Sequence, residues 1–145
     1  MTVRKQIADA IHAALSAIQT GNGYATTITT VERWRDVEAA PFEAEELPAV
    51  NFRDGRAPVV HQLSQDEHAL EVDIDIITTS AVTAADALDY VGDIVKCLAD
   101  NGTWGGLADG TTIESHEIAV GEGEEVVTCG RVKTTVNYTT DMGRI

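Results

Sequence analysis

The stretch that decides the fold is residues 111–139, TTIESHEIAV–GEGEE–VVTCGRVKTTVNYTT. Both halves are rich in Thr, Val and Ile, and a short Gly- and Glu-rich segment separates them, so the stretch predicts one long β-hairpin. In the second half, Val127 and Cys129 occupy odd positions, whereas Val132, Val136 and Tyr138 occupy even ones. We expect a β-bulge at Gly130, which would restore a single buried face.

The start of the chain predicts a first helix. Thr2 can cap its N-terminus, and Gly21-Asn22-Gly23 can end it. Between them, apolar residues recur at the spacing of one helical face: Val3, Ile7, Ile11, Leu15 and Ile18.

The segment after this helix predicts a strand, a loop and a second strand. Residues 24–35 are rich in Thr, Ile and Val and are expected to form the first strand. Residues 36–48 contain five acidic residues and two prolines, which favours a long surface loop or arm with Phe42 as its large apolar residue. Residues 49–53 are expected to form a short strand before the turn signal Asp54-Gly55.

Residues 58–64 and 68–79 predict a central antiparallel hairpin, with its turn around Gln65-Asp66. In the second strand the apolar residues share one face and the acidic residues share the other. The apolar ones are Leu70, Val72, Ile74 and Ile76, and the acidic ones are Glu71, Asp73 and Asp75. Such alternation is typical of a half-buried strand. We expect the acidic side to be solvated or to face a partner, opposite Arg131 and Lys133 of the closing hairpin.

Residues 83–100 predict a second helix, capped by Thr83 and ended by Asn101-Gly102. The residues expected to point inward are Ala84, Leu88, Val91, Val95 and Leu98, and those expected on the outer side are Asp86, Asp89 and Asp93. A Gly-rich connector at 101–110 leads to the closing hairpin. The elements predict one α+β domain over residues 1–145, a mostly antiparallel sheet with two helices packed on one face.

The chain is strongly acidic. Its 145 residues include 24 Asp and Glu against 10 Lys and Arg, a formal net charge of −14 at pH 7. No basic residue lies between Arg56 and Lys96, where eight acidic residues fall. This balance excludes a basic nucleic-acid footprint, because phosphate binding needs clustered Lys and Arg. The acidity favours solubility, and it also suits a surface that repels nucleic acid or meets a basic partner.

The sequence predicts a protein that folds inside the cell without a membrane anchor. No apolar run approaches the ~18 residues of a membrane span. Gln6, Asp9 and His12 interrupt the N-terminal stretch that would otherwise resemble a signal peptide. Cys97 and Cys129 are expected to be small buried hydrophobic residues rather than a disulfide.

Catalytic and metal-binding patterns are weak. Residues 101–110, NGTWGGLADG, have the glycines of a phosphate loop but lack its Lys-Ser/Thr pair. His61 and His68 flank the central turn and could form half a zinc site, which Asp66 or Glu67 could complete. Because histidines at a hairpin turn are more commonly solvated, we predict no metal here. Because the catalytic motifs are weak, we also predict no cofactor and no enzymatic activity.

Two segments are candidates for contact with a partner. Arg33-Trp34-Arg35 is the densest basic-aromatic cluster, and Trp and Arg are enriched at interface hot spots. The alternative is a core Trp between exposed arginines. The arm 36–48 could lie on a neighbouring subunit, or it could be an ordinary loop. The predicted interface set is Arg33, Trp34, Arg35, Phe42, Glu71, Asp73 and Asp75.

Over nearly its whole length the layout resembles the tail-terminator, or tail-completion, proteins of long-tailed bacteriophages. The similarity lies in a leading amphipathic helix (RKQIADAIHAALSAI), a central hairpin that ends in LEVDIDIITT, and a helix with the run A-x-x-A-L-D-x-V-x-D-I-V-K-x-L. The closing strand RVKTTVNYTT completes the set.

The resemblance implies a structural role without catalytic residues or a cofactor. Members of this family form a ring, usually a hexamer, that stops polymerisation of the tail tube and presents the surface to which the head is joined. It therefore implies a homo-oligomer that binds the tail-tube protein and a head–tail connector protein. Genomic DNA would pass through an acidic lumen without specific binding, because negative charge repels phosphate. Such a protein is assembled in the bacterial host cytoplasm and resides in the virion tail.

Three other interpretations are open. Another phage neck or tail-tube component would share much of this outline. An acidic DNA-mimic regulator would use its negative charge to bind a basic protein, and it would be a stable monomer or dimer. A metal-dependent hydrolase would depend on His61 and His68.

Overall fold

The protein is described by a computed structural model that covers residues 2–120 and 125–145. The helices of this part of the chain are α1 (Val3–Ser16) and α2 (Ala84–Asp100). Its strands are β1 (Thr30–Arg33), β2 (Ala49–Asp54), β3 (Val59–Gln62), β4 (Gln65–Thr79), β5 (Gly110–Ile118) and β6 (Val126–Asp141). Short 3₁₀ turns lie at Thr20–Asn22 and Ala44–Glu46. The α+β prediction and the predicted order of helices and strands are confirmed.

The strands form a single sheet in the order β1-β2-β4-β6-β5, with β3 also paired to β4. All pairs are antiparallel except β1 with β2. β4 is the centre of the sheet, because it pairs with β6 on one side along its whole length. On its other side it pairs first with β3 and then with β2. Residues 55–58 carry the chain between these two short strands.

Both helices pack on the same face of the sheet. Ile7 of α1 and Ile94 of α2 lie in one buried cluster with Ile74 and Ile76 of β4 and Val136 of β6. Burying each such side chain contributes about 1.5–3 kcal/mol before the entropy of folding is subtracted. The α1 prediction is confirmed, including its start: the Thr2 side chain accepts a hydrogen bond from Lys5 N–H at 3.1 Å.

The inward face of α2 differs from the prediction. Val91 and Leu98 are buried as expected, but Ala84 and Leu88 are exposed, Leu88 to 55%. Asp93 was predicted on the outer side and is buried instead. The spacing of the apolar residues alone therefore does not predict which side of α2 faces the core, because buried Asp93 occupies part of that side.

Asp93 is buried because it holds the segment before β1. Its carboxylate accepts hydrogen bonds from the backbone N–H groups of Ala25, at 3.0 Å, and Thr26, at 2.8 Å, and also from the Thr26 hydroxyl. These amides are therefore not available to a strand ladder. The predicted strand over residues 24–35 is accordingly wrong in its first half, and the observed strand covers only Thr30–Arg33.

The Gly-rich stretch 101–110 is an ordered loop that supplies a core residue. Trp104 is buried in the main cluster, and its indole N–H donates to Thr111 Oγ1 at 2.9 Å. The backbone N–H of Trp104 donates in turn to Asn101 O at 2.8 Å. The sequence predicted a connector here and did not indicate that it contributes to the core.

Both predicted hairpins are present. The turn of the central hairpin lies at Leu63-Ser64 rather than at Gln65-Asp66, because Asp66 is already in β4 and pairs with His61 of β3. The closing hairpin is formed by β5 and β6. Most of its predicted tip, residues 121–124 of GEGEE, lies outside the described residues.

The bulge predicted near Gly130 is confirmed. Ile76 pairs with Gly130 and Ile77 pairs with Thr128, so Cys129 is the extra residue on β6. Cys129 and Val132 consequently lie in the same buried cluster although their positions differ in parity.

Replacing Gly130 by Ala should destabilise the protein by about 1–3 kcal/mol, because the added methyl overpacks the core. A Cβ at this position would lie 2.7 Å from Val91 Cγ2 and 3.3 Å from Glu117 O. Gly92→Ala is the matched control, since no atom of the described residues lies within 4 Å of a Cβ there. That variant should gain about 0.5–1 kcal/mol from helix propensity. Urea unfolding measures both changes, and equal stability of Gly130→Ala and wild type would contradict the close packing.

Candidate functional site

The face of the sheet that points away from both helices is the candidate site, and we call it the open face. Charged side chains from three neighbouring strands meet on it: Arg53 of β2, Asp73 and Asp75 of β4, and Arg131 and Lys133 of β6. Asp75 pairs with Arg131 and Asp73 pairs with Lys133 in the strand register, as the sequence predicted. The Asp75–Arg131 pair, whose charged atoms lie 2.6 Å apart, stabilises this arrangement.

Asp75 is at the centre of this charged region. It is only 7% exposed and lies between two arginines. Arg53 Nη2 lies 2.9 Å from Asp75 Oδ2, and Arg131 Nε lies 2.6 Å from Asp75 Oδ1. Burying a carboxylate is costly unless it is paired and hydrogen-bonded, and the two arginines supply both kinds of contact. Of the three predicted acidic residues, Glu71 is exposed and Asp73 is half-buried, whereas Asp75 is held within its own sheet.

Arg33, Trp34 and Arg35 do not act as one cluster, since Arg33 and Trp34 bond to Asp54 whereas Arg35 bonds to Glu46. Trp34 is 54% exposed and has a φ of 59°, in the left-handed region that bulky residues rarely adopt. The alternative of a core Trp is therefore wrong for Trp34, and the buried Trp is Trp104. An exposed aromatic ring on a strained backbone is a feature that clusters at functional sites.

Asp54 fixes the position of Trp34. It is buried and accepts two hydrogen bonds from Arg33, at 2.7 and 2.6 Å, and one from the Trp34 indole N–H at 3.1 Å. Arg4 of α1 also lies near, with its Nε 3.7 Å from Asp54 Oδ2. Burial by itself raises the pKa of Asp54, but the hydrogen bonds and charge of Arg33 outweigh it and hold the pKa below its ordinary value.

Arg35 fastens the acidic loop to the open face. Its guanidinium lies 4.1 Å above the ring of Phe42 and pairs with Glu46 at 2.7 Å. Its Nε donates to Ala40 O at 2.8 Å. Phe42 is only 4% exposed and packs on Ile77, so its ring offers little surface to a partner. The loop 36–48 therefore covers one end of the open face of its own chain.

Beside Trp34 the open face forms a shallow depression of about 510 Å³. Its walls combine the indole ring with charges of both signs: Arg53, Arg56, Glu71, Asp73 and Lys133. An aromatic anchor within a ring of mixed charge is suited to binding a protein surface. Sequence reasoning missed Arg53, Arg56 and Lys133 as members of this site. Arg53 and Arg56 could have been found from the sequence, because they lie on either side of the predicted Asp54-Gly55 turn.

His61 and His68 do not form a shared site. Their pairing partners in the register are Asp66 and Val59, respectively, so they do not face each other. His61 Nδ1 lies 2.5 Å from Asp66 Oδ1 near the surface. His68 is buried and stacks on Tyr138 at 4.5 Å between ring centroids. In residues 2–120 and 125–145, no group of three or more His, Cys, Asp or Glu could hold a metal ion.

Cys97 and Cys129 are free and buried, as predicted. Burial raises the pKa of both thiols, which keeps them protonated and unreactive. Neither helix of the described chain has the combination of length and apolar composition that a membrane crossing needs.

No protein-family model matches the sequence, and a search of curated proteins gives no match. Within the predicted interface set, Trp34 and Glu71 are exposed, whereas Phe42 and Asp75 are buried in their own chain. The assignment of the set to a partner interface stays a prediction.

Asp54→Asn should lower the free energy of unfolding at neutral pH by about 1–2 kcal/mol, because it weakens the hydrogen bonds that Arg33 donates to a charged carboxylate, while Arg33 itself stays partly exposed to water. The folded-state pKa of Asp54 lies below the unfolded value of about 3.9. The greater unfolding free energy of the wild type over Asp54→Asn is therefore fully present above that pH, and it is lost as the pH falls through the folded-state pKa. Urea unfolding at a series of pH values down to about 2 measures it.

Asp73→Asn is the control for this prediction, because Asp73 is half-buried on the open face and makes no ion pair within 4 Å among the described residues. It should change stability by no more than about 0.5 kcal/mol. A difference between wild type and Asp54→Asn that does not shrink in acid would contradict the role of the Asp54 charge.

Proposed function

We propose that the protein is a tail-terminator subunit of a long-tailed bacteriophage. In this role it forms a homo-oligomeric ring, expected to be a hexamer, at the head-proximal end of the tail tube. The ring ends tube polymerisation and provides the surface to which the head–tail connector binds. It acts in the virion after assembly in the bacterial host cytoplasm, and it is a structural protein rather than an enzyme.

The open face is the observation that carries this proposal. The core is completed on the other side of the sheet, where both helices pack. The open face is therefore left with an exposed Trp34 and with charges of both signs. A subunit that must bind its neighbours and two further proteins needs a large surface that its own fold does not use.

The layout of the chain also supports the proposal. The resemblance to tail terminators rests on a leading helix, a central hairpin, a second helix and a closing strand, and the structure has these elements in this order. β4 and β6 are long, at 15 and 16 residues. Long paired strands suit a subunit that must reach its neighbours in a ring.

The distribution of charge is compatible with self-association. Two copies of a chain of net charge −14 repel each other unless their contact surfaces are locally neutral. Five of the ten Lys and Arg residues lie on or beside the open face: Arg35, Arg53, Arg56, Arg131 and Lys133. The remaining surface is more acidic, which suits a conduit that DNA passes without sticking.

The test is to mix the purified protein with purified tail tubes and to examine them by light scattering and negative-stain electron microscopy. We expect closed rings and tubes that end in an additional ring and no longer elongate. Trp34→Ala should weaken capping about 10- to 100-fold, as loss of an interface anchor does. Leu88→Ala is the matched control, because Leu88 is equally exposed but lies on α2, behind the other face of the sheet.

Each rival interpretation predicts a different result. Rings that do not cap tubes would favour another neck component. A monomer that never associates with tubes, and that competes with DNA for a basic protein, would favour a DNA-mimic regulator and would contradict the proposal.

A further inference from the structure

We infer that copies of this chain join head to tail, with the turn of the β3–β4 hairpin of one copy inserted into an apolar pocket at the far end of the sheet of the next. The inserting element, which we call the knob, consists of Val60 and Leu63. The pocket is lined by Val37, Pro41, Phe42, Ile77, Val126 and Thr128. Both elements belong to the surface of the described chain.

Leu63 is the residue that points to this contact. Its side chain is 100% exposed, and its φ of 53° lies in the left-handed region that favours glycine. The adjacent strand adds Val60, which is also exposed. A leucine that is both strained and fully in water stabilises nothing in its own chain. Contact with another molecule gives it a physical reason to be there.

The pocket is the matching feature. It is an open depression of about 490 Å³ whose floor is the small apolar cluster of Phe42 and Ile77. Val37 forms part of its exposed rim. The pocket has the shape and chemistry to accept an aliphatic side chain, and burying one there removes apolar surface from water on both partners.

The two elements cannot meet within one chain. The knob adjoins Gln65, where β4 begins, and Ile77 lies near the other end of the same strand. Residues 65 and 77 of one extended strand are on the order of 40 Å apart at about 3.3 Å per residue. A knob that enters this pocket must therefore belong to a second copy. Contacts of this heterologous kind repeat from copy to copy and form a ring when the rotation closes.

The side chains that would meet are uncharged. The turn Gln62-Leu63-Ser64-Gln65 bears no charge, and among the described residues none that lines the pocket is charged. Carboxylates flank both patches, with Glu67 opposite Val60 and with Asp36 and Glu38 on either side of Val37, so burial of the apolar side chains must outweigh the repulsion between them. This inference deepens the proposed function and rests on it in one respect, since a tail-terminator ring requires a repeated contact between copies.

The first experiment compares the mass in solution of the wild type with that of Leu63→Lys and Val37→Asp over a range of protein concentrations. Each substitution should raise the concentration needed for association about 10- to 100-fold, the range that burial of one aliphatic side chain supplies. Leu63→Gly should weaken association in the same way while making the monomer more stable, because glycine relieves the left-handed backbone. Leu88→Lys, on an exposed leucine outside both patches, is the control and should leave association unchanged.

The second experiment mixes the two defective variants. Leu63→Lys retains an intact pocket and Val37→Asp retains an intact knob, so a mixture should form heterodimers that cannot grow further. Leu63→Cys and Val37→Cys should likewise cross-link to each other on mild oxidation, since the native thiols are buried. Neither cysteine variant should cross-link to itself. Circular dichroism of each variant confirms that it is folded.

Failure of this inference is distinguishable from failure of the proposed function. If Leu63→Lys and Val37→Asp form rings and cap tubes as the wild type does, the knob-and-pocket contact is wrong and the terminator role stands. If the wild type forms rings that depend on both residues but do not cap tubes, the contact stands and the terminator role is wrong. A wild type that stays monomeric, with cysteine variants that do not cross-link, overturns the contact.

Discussion

The pairing of β4 with β6 is the constraint on which the rest of the structure depends. These two strands are matched over their whole length, and the match requires one extra residue at Cys129. Without that bulge, the apolar residues on the two sides of Gly130 would point to opposite faces of the sheet. Gly130 also leaves the space that Val91 of α2 occupies. The same feature therefore sets the strand register and lets a helix pack closely on it.

A sheet whose register is set in this way has two faces with different uses. The side chains of one face are covered by both helices and supply the apolar core. The other face holds its charges in cross-strand pairs centred on Asp75, which makes it stable without a covering layer. A stable but uncovered face is available for binding. The proposed contacts with partners and the proposed contact between copies both use surfaces outside the helix-covered core.

The site was only partly predictable because several of its residues are placed by contacts distant in sequence. The sequence indicated Arg33-Trp34-Arg35, but the exposed position of Trp34 depends on its hydrogen bond to Asp54. It also suggested that Phe42 could reach a neighbour, whereas Arg35 holds this ring against its own sheet. Local patterns carry no information about such partners, since the side chains meet only after the strands have paired.

The sequence by itself determined the elements whose residues repeat at a regular spacing. These are α1, the alternating strand β4, the closing hairpin and even the bulge near Gly130, because burial on one face imposes a period on the chain. Only the tertiary structure decided the positions of Asp93, Trp104 and Leu63. The first two are buried by hydrogen bonds and packing with distant segments. Leu63 is fully exposed on a left-handed backbone, which marks it as a candidate contact residue. Its exposure depends on the whole fold, so the local sequence could not indicate it.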